Sequence, residues 1–442
     1  MTGVGVDKVK CQWVPAWLRL FLLVGIAIAS GGCLDHMIAD QVLKGPNGGQ
    51  RSIVSRMLED GKHVGLNYSC MLNDVDVVEV GPPIARMAYY TVEPKGKFYY
   101  VMTRMSRDLD EHAVRKQTVW LDRLGEKIDE EDGQPSDRPA LIEHNYEFNA
   151  PVYGGEPQIL VLGHPVVSVD ERVAMEKEPI GTIILLQGLG GSVRENPYLW
   201  HLAGMLSNYG YRVVMPDMRG HGDSTGDEIG FGLYEAKDIS QLIDDLERKG
   251  KVAGKLGIMG HSYGAMMSIY AAAYDKRIEA VLGISPHNWL RDFSGAATNI
   301  AKLFRPKVYG LIMTIGNEKT IPSAIEIAAD RLGVDPDAHG PAAVISQTDA
   351  PLLLLHGDSD QICPFSASEQ ILAARPENSE LLIFKTDDHW THLYRRTLWQ
   401  EVLSFMDHYL PESPMDREID ADRHVGAEDN PAWVMWQASL GG

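Results

Sequence analysis

Between residues 145 and 410 the chain alternates short apolar runs with stretches whose apolar positions recur at helical spacing. The apolar runs predict strands at residues 145–149, 158–167, 182–186, 212–215, 255–259, 280–284, 352–355 and 381–384. The amphipathic stretches predict helices at residues 198–208, 235–249, 265–274, 367–374 and 397–409. Short apolar strands that alternate with amphipathic helices form a mainly parallel sheet with helices on both faces. The pattern therefore predicts an α/β fold.

The pattern is weaker outside this region. Residues 98–104 and 118–124 favour strands, and the charged stretch 126–137 is typical of an exposed connection. No chemistry is evident there, so residues 34–140 are interpreted as an N-terminal extension or subdomain. After residue 410 the composition shifts to Asp, Glu, Pro and Gly, which predicts an acidic tail over residues 411–442.

An insertion at residues 286–350 separates the two parts of the repeating pattern. Helical spacing over residues 288–304 and 322–332 predicts a helical lid. Its apolar side chains either line a pocket for an acyl chain or bury the underside of the lid, and both interpretations stay open. These side chains belong to Trp289, Leu290, Phe293, Leu303, Phe304, Ile312 and Met313.

The first 33 residues predict a targeting segment. Three basic residues precede an apolar run at residues 20–29, which is short for a membrane span and suits a secretory signal. The following Ser30-Gly31-Gly32-Cys33 resembles a bacterial lipobox, although Ser30 stands where that motif usually has leucine. The resemblance implies lipidation of Cys33 and a lipid-anchored protein of the cell envelope. An uncleaved membrane anchor and a plain signal peptide are the alternatives.

Charge and cysteine content narrow the classes of partner. The formal net charge of −20 argues against nucleic acid, because an acidic surface repels the phosphate backbone. No zinc-type pair of cysteines occurs, so we expect neither a metal nor another cofactor. Cys70 and Cys363 would either bond in an oxidising compartment or stay separate as buried thiols.

The chemistry centres on Gly260-His261-Ser262-Tyr263-Gly264, which lies between a predicted strand and a predicted helix. This G-x-S-x-G layout predicts a nucleophile elbow, in which a sharp turn raises the serine above the sheet. Only glycine lets the neighbouring elements approach such a turn closely.

Three further motifs each follow a predicted strand. They are Gln187-Gly188-Leu189-Gly190-Gly191-Ser192, Asp217-Met218-Arg219-Gly220-His221-Gly222-Asp223-Ser224 and His356-Gly357-Asp358-Ser359-Asp360-Gln361-Ile362-Cys363-Pro364. Together with the elbow, they resemble the α/β-hydrolase superfamily over about residues 145–410, within the branch that includes monoacylglycerol lipases and serine aminopeptidases. Each motif falls where open α/β sheets place their sites.

The resemblance implies a triad of Ser262 as nucleophile, Asp360 as acid and His389 as base. A serine hydroxyl needs such a base, and the base needs a carboxylate to hold its tautomer. Asp358 is the alternative acid, and His392 is the alternative base.

The resemblance also implies an oxyanion hole made by the backbone N–H groups of Leu189 and Tyr263. Gln187 departs from the family, in which His often stands there, and this changes hydrogen bonding in the loop more than the donor itself. The histidines within the motifs, His221, His261 and His356, are interpreted as structural.

The function that follows is a serine hydrolase of the esterase or lipase type. Its partners are a small acyl ester or lipid and, through Cys33, the membrane. A serine aminopeptidase-like activity is the enzymatic alternative, although Glu318 and Glu326 are too scattered to form a site for a substrate amine. A non-catalytic module of the same fold is the alternative from another class. The sequence therefore predicts six segments. They are a signal peptide with a lipobox-like end at 1–33, an N-terminal extension or subdomain at 34–140, the first part of the α/β-hydrolase domain at 141–285, the lid insertion at 286–350, the second part of that domain at 351–410 and the acidic tail at 411–442.

Overall fold

The structure is a computed structural model. It describes residues 33–46, 74–94, 99–107, 114–121, 160–166, 178–193, 196–304, 306–390, 393 and 396–411. The predicted strand at 145–149, the apolar run at 20–29 and the acidic tail beyond residue 411 lie outside the described residues, as do Cys70 and His392.

An eight-stranded sheet forms the centre of the fold, and a smaller sheet of three strands accompanies it. Across the large sheet the order is β1-β2-β7-β6-β8-β9-β10-β11, and the small sheet has the order β4-β3-β5. The strands are β1 Asp74–Val80, β2 Ala85–Val92, β3 Tyr99–Arg107, β4 Val114–Leu121, β5 Leu160–Val166, β6 Gly181–Leu186, β7 Tyr211–Pro216, β8 Leu256–His261, β9 Ile278–Ile284, β10 Leu352–Gly357 and β11 Ser379–Phe384.

The six strands from β7 to β11 in this order are parallel, whereas β1 and β2 form an antiparallel edge. The predicted α/β fold with a mainly parallel sheet is therefore confirmed. The division at residue 140 does not follow the sheet, because β1 and β2 lie before it and yet pair with β7 through β2. The edge strand β1 has charged residues at three of its seven positions, Asp74, Asp76 and Glu79, and lacks the continuous apolar signal of the central strands.

The sheet is covered by helices on both faces. Along β6, Ile184 and Leu186 pack with residues of α3 and α4, and Ile183 and Leu185 pack with residues of α2 and α10. The helices are α1 Cys33–Leu43, α2 Pro197–Asn208, α3 Glu235–Arg248, α4 Tyr263–Tyr274, α5 Phe293–Phe304, α6 Pro306–Ile315, α7 Thr320–Leu332, α8 Pro341–Val344, α9 Ser366–Ala374 and α10 Arg396–Tyr409. Within the described part of the chain, no helix is both long and apolar enough to cross a membrane.

Four helices, α5 to α8, lie between β9 and β10, in the insertion for which the sequence predicts a lid. The lid buries Leu290 and Phe293 in the core, which favours the interpretation that these two side chains pack its underside. Helix α6 was not predicted. Seven of its ten residues are apolar or aromatic, PKVYGLIMTI being its sequence, yet none of them is buried.

A buried ion pair joins the loop after β7 to helix α3. The guanidinium of Arg219 donates to both carboxylate oxygens of Asp238, at 2.8 and 2.9 Å, and to the carbonyl oxygen of Pro83 at 2.6 Å. Both charged side chains are 1% exposed. Arg219 thus ties the β1–β2 turn, the loop after β7 and α3 together.

We predict that Asp238→Ala lowers the free energy of unfolding by about 3 to 5 kcal/mol, because it leaves the Arg219 charge buried without its partner. Urea unfolding followed by circular dichroism measures the change. Lys237→Ala is the matched control, since Lys237 is an exposed residue of the same helix. Equal losses in the two variants would contradict a structural role for the ion pair.

Candidate active site

Ser262 lies at the turn between β8 and α4 in a backbone conformation that non-glycine residues rarely adopt. Its φ and ψ are 58° and −119°. Its N–H donates to the carbonyl oxygen of Ile284 in the neighbouring strand at 2.8 Å, which ties the turn to the sheet. The strained turn is the predicted nucleophile elbow, and it places the serine at the carboxyl end of a central strand.

The two flanking glycines are required by close backbone contacts. A Cβ at Gly260 would lie 2.4 Å from the carbonyl carbon of Gly264, and a Cβ at Gly264 would lie 2.5 Å from the carbonyl oxygen of Leu186. These separations are far below van der Waals contact. The first turn of α4 therefore packs directly against the end of β6, and a side chain at either glycine would push them apart.

Asp360 and His389 form a buried hydrogen-bonded pair after β10 and β11. His389 Nδ1 lies 2.7 Å from Asp360 Oδ2. The other oxygen, Oδ1, accepts from the backbone N–H groups of Ile362 and Cys363, each at 2.8 Å. Burial opposes ionisation of Asp360, but the charge of His389 and the hydrogen bonds from His356 and His389 hold the pKa of Asp360 below its usual range. Asp360 is therefore a carboxylate that fixes the imidazole.

Asp358, the alternative acid, points elsewhere. It is exposed, its Oδ1 accepts from the N–H of Thr386 at 2.7 Å, and its Oδ2 lies 3.3 Å from Lys385 Nζ. Asp358 thus holds the turn that precedes His389 and does not contact the imidazole.

The motif histidines support the loops that carry the pair. His356 contacts Ser368 Oγ through Nδ1 at 2.7 Å and the carbonyl oxygen of Cys363 through Nε2 at 3.0 Å. His261 Nε2 lies 3.0 Å from the carbonyl oxygen of His389. His221 is buried and bonds the carbonyl oxygen of Arg219 through Nδ1 at 2.8 Å. Each of the three therefore supports a loop through hydrogen bonds. Their positions inside the loop motifs are what indicated this role in the sequence.

The loop after β6 brings the first predicted oxyanion donor, Leu189, next to the serine. A Cβ at Gly188 would lie 3.6 Å from Ser262 Cβ, which shows how closely the loop approaches the elbow. The second donor, the N–H of Tyr263, begins α4. Among the described residues, neither of these N–H groups has a hydrogen-bond acceptor. Both are thus available to an oxygen atom of a ligand.

Two polar side chains brace this loop. In the amide orientation that satisfies both of its groups, Gln187 donates to the carbonyl oxygen of Pro216 at 2.8 Å and accepts from the N–H of Met218 at 3.0 Å. Asp217 accepts from the N–H of Val193 at 2.7 Å. Burial raises the pKa of Asp217 to about 6, although hydrogen bonds from the backbone of Asp223 and Val193 oppose this. Gln187, which stands where the family often has His, therefore changes the hydrogen bonding of this loop: its side chain ties the loop to residues 216 and 218.

The thiol of Cys363 lies at the bottom of the site. Its Sγ is 3.8 Å from Ser262 Oγ, within hydrogen-bond distance for sulfur. Of the contacts that the described residues make, none is a hydrogen bond between Ser262 and His389. Burial raises the pKa of the Cys363 thiol well above its usual value, and the charge of Asp360 adds to the effect. Cys363 is therefore a free, protonated thiol beside the serine hydroxyl.

Two features of the site were missed by the sequence reasoning. Sequence reasoning left open whether Cys363 is half of a disulfide or a separate buried thiol, and the structure has it as a buried free thiol. Its place beside Ser262 was not predicted, although its position three residues after Asp360 was visible in the motif. His287, two residues after the tight turn at Ser285, is buried, and its Nδ1 has no hydrogen-bond partner among the described residues. Burial lowers the pKa of His287 to about 3, and the charge of His389 acts in the same direction. No motif marked His287.

The donor atoms of Asp360, Cys363 and His389 lie within 4.8 Å of one another, which is the one arrangement in the described part of the chain that suits a metal ion. As it stands, the site has a hydroxyl on a strained turn, a carboxylate-bound imidazole and two N–H groups that have no acceptor among the described residues. Groups of these types at the ends of β6, β8, β10 and β11 are suited to acyl transfer.

Several known proteins are similar to part of this chain. The chain is 26% identical over 233 residues to the uncharacterised protein YqkD of Bacillus subtilis, which covers 51% of this chain and 72% of YqkD. It is 22% identical over 244 residues to YitV of the same organism, a protein named provisionally as an esterase, and this covers 52% of this chain and 89% of YitV. A solved structure of an esterase from Pyrococcus furiosus superposes with a TM-score of 0.45 at 14% identity and covers 76% of this chain and 93% of that one.

A family model extends over the strands and loops that build the site. The model described as the alpha/beta hydrolase family matches residues 183–435, which is more than half of the chain. This stretch begins in β6 and includes Ser262, Asp360 and His389. The chain belongs to the alpha/beta hydrolase family.

Proposed function

We propose that the protein is a serine hydrolase that cleaves carboxylic esters through an acyl-enzyme on Ser262. The observation that carries the proposal is the 2.7 Å hydrogen bond between His389 Nδ1 and Asp360, beside a serine on a strained elbow. A finer placement among the monoacylglycerol lipases and serine aminopeptidases is part of the proposal, and it rests on the motifs of the sequence.

The reaction has two halves, acylation of Ser262 by the ester and hydrolysis of the acyl-enzyme by water. Ser262 turns from Cys363 towards His389, and His389 Nε2 takes the hydroxyl proton as Oγ attacks the ester carbonyl carbon. Asp360 holds the imidazole with Nε2 free and stabilises the imidazolium. The tetrahedral intermediate collapses, His389 returns the proton to the alcohol, and the alcohol leaves. Water then attacks the acyl-enzyme by the same path, releasing the acid and restoring Ser262.

Charge on the former carbonyl oxygen is stabilised by the N–H groups of Leu189 and Tyr263. Such donors act without reorganisation because the backbone holds them before substrate arrives. The braces at Gln187 and Asp217 support this function by fixing the loop at two points on either side of Leu189.

The lid supports an apolar acyl substrate. Helix α6 has no buried residue, and Val308 and Leu311 on it are 46% and 43% exposed. Exposed apolar surface of this kind is typical of sites that meet apolar ligands. The provisional naming of the relative YitV as an esterase agrees with this substrate class.

The proposal also includes attachment to the cell envelope through a lipid on Cys33. The apolar run at residues 20–29 and the small residues before Cys33 support it. Cys33 is the first residue of α1, so a cleaved and acylated chain would begin at a helix.

We predict that wild type hydrolyses p-nitrophenyl esters and that Ser262→Ala lowers kcat by roughly 10⁴-fold or more, since the nucleophile is removed. A series from acetate to palmitate reports the acyl length that the pocket accepts. A fluorophosphonate probe on the same samples should label the wild type alone. Folded wild type that neither turns over esters nor takes the probe would contradict the proposal and favour a non-catalytic module, whereas labelling without ester turnover would favour peptide substrates.

The two aspartates of one loop give a matched pair of variants. We expect Asp360→Asn to lower kcat by roughly 10⁴-fold, because an amide stabilises neither the required tautomer nor the imidazolium. Asp358→Asn should lower it less than about tenfold, because Asp358 only holds the turn before His389. Steady-state kinetics of both variants measures this. A larger loss at Asp358 would overturn the assignment of the acid.

For the anchor, we expect metabolic labelling with a fatty acid to mark the wild-type protein in a bacterial host and to miss Cys33→Ser. The thiol of Cys33 is the atom that carries the lipid in this proposal, and serine removes it. Cys11→Ser is the matched control, because that cysteine lies in the part predicted to be cleaved. Equal labelling of the Cys33 variant would show that the lipid is attached elsewhere.

A further inference from the structure

The site contains donor atoms that the hydrolytic reaction does not use. Cys363 Sγ lies 3.8 Å from Ser262 Oγ, and it lies within 4.8 Å of a ring nitrogen of His389 and of a carboxylate oxygen of Asp360. All three of Asp360, Cys363 and His389 are buried. Thiolate sulfur and imidazole nitrogen are the ligands that Zn²⁺ prefers, in a tetrahedral arrangement.

The hydrogen bond that prepares His389 as a base also prepares it as a metal ligand. Histidines that bind metals usually donate the second ring N–H to a carboxylate, which fixes the tautomer and raises the basicity of the ligating nitrogen. His389 Nδ1 bonds Asp360 in this manner, at 2.7 Å. Its Nε2 is then the nitrogen that faces an ion.

The distances suit a tetrahedral ion after a small adjustment. Typical zinc bonds to sulfur and nitrogen place these two ligands about 3.6 Å apart. The sulfur lies no more than 4.8 Å from a ring nitrogen of His389, so this pair needs to approach by at most about 1.2 Å. The separation of 3.8 Å between Cys363 Sγ and Ser262 Oγ already matches, so the serine oxygen or a water can be a further ligand.

Charge balance favours a divalent ion in this buried place. A thiolate at Cys363 and the carboxylate of Asp360 together carry two negative charges, which a divalent cation neutralises. Without an ion, a thiolate beside Asp360 would be an uncompensated buried charge, whereas the ion, the thiolate and the Asp360 carboxylate together carry no net charge. Binding therefore replaces the thiol proton with the metal ion and releases that proton to solvent.

We propose that Cys363 and His389 form a binding site for Zn²⁺, with Asp360 behind the imidazole, and that the bound ion blocks Ser262. The ion occupies Nε2, which would otherwise take the serine proton. Reversible inhibition by zinc is the consequence, and this consequence rests on the proposed function, whereas the binding site rests on geometry alone.

Binding is tested without turnover, with Cd²⁺ as the probe. The reduced full-length chain is titrated with Cd²⁺, and the ultraviolet band of a cadmium-bound thiolate is followed. We expect a band in the wild type that Cys363→Ala loses and Cys70→Ala keeps, Cys70→Ala being the matched control for a second thiol. His389→Ala should raise the apparent Kd by more than the roughly 10- to 100-fold that loss of an outer-shell partner causes, because His389 is a direct ligand in this proposal. A wild type without the band, or a band unchanged in Cys363→Ala, would overturn the site.

Inhibition is tested with Zn²⁺ and the fluorophosphonate probe. We expect Zn²⁺ to slow labelling of Ser262 in the wild type, and Cys363→Ala to raise the half-inhibitory Zn²⁺ concentration by roughly 100-fold relative to its own uninhibited rate. Equal sensitivity of the two proteins would overturn the role of Cys363. If cadmium binds Cys363 while labelling keeps its rate, the blocking of Ser262 is wrong. Absence of labelling together with a Cys363-dependent cadmium band would refute the proposed hydrolase and leave the metal site standing.

Discussion

The close packing of the β8–α4 turn against the end of β6 is the constraint on which the rest of the site depends. A Cβ on Gly264 would lie 2.5 Å from the carbonyl oxygen of Leu186, and a Cβ on Gly260 would lie 2.4 Å from the carbonyl carbon of Gly264. The first turn of α4 is therefore in direct backbone contact with the end of β6. This packing places Ser262 beside the loop of Leu189. It also brings the N–H groups of Leu189 and Tyr263, which have no acceptor in the part of the chain that the structure describes, to the same end of the sheet. A methyl group at either glycine would push Ser262 away from the loop of Leu189, although every functional group of the site would still be present.

Around this turn, polar contacts fix loops that would otherwise be flexible. Asp217 and Gln187 hold the loop after β6, and His356 and Asp358 hold the segments that present Asp360 and His389. Arg219 joins this framework to α3 and the β1–β2 turn through a buried pair with Asp238. Because buried polar groups must be bonded, the buried side chains of this set, which are all but Asp358, are each tied to one geometry, and the loops take that geometry from them. Pre-organisation of the site is thus a property of the loops after the strands.

Much of the fold and most of the site could be predicted from the sequence, and the reasons are local. Central strands such as β6 and β10 are continuously apolar, and the glycines around Ser262 report contacts that no other residue permits. Strand β1 lies at the edge and mixes charged with apolar residues, so it has no continuous apolar run to predict it. Strand β2 is buried at seven of its eight positions, and no such local reason accounts for its place in the predicted extension. Helix α6 was not predicted, although Val308, Leu311, Ile312 and Ile315 recur at helical spacing; the pattern is present, but the structure leaves this apolar face unburied. The contact of Cys363 with Ser262 joins residues about one hundred positions apart, and no local pattern encodes it. The choice of Asp360 over Asp358 came from the family resemblance, and the contact with His389 agrees with it.

The central claim is that Ser262 carries an acyl group during turnover. Intact-protein mass spectrometry during hydrolysis of a slow p-nitrophenyl ester, followed by peptide mapping, tests it most directly. The account predicts a transient mass increase equal to the acyl group, located on the peptide that contains Ser262 and absent in Asp360→Asn quenched at the same time. Turnover without a covalent intermediate, or an acyl group on another residue such as Cys363, would contradict it.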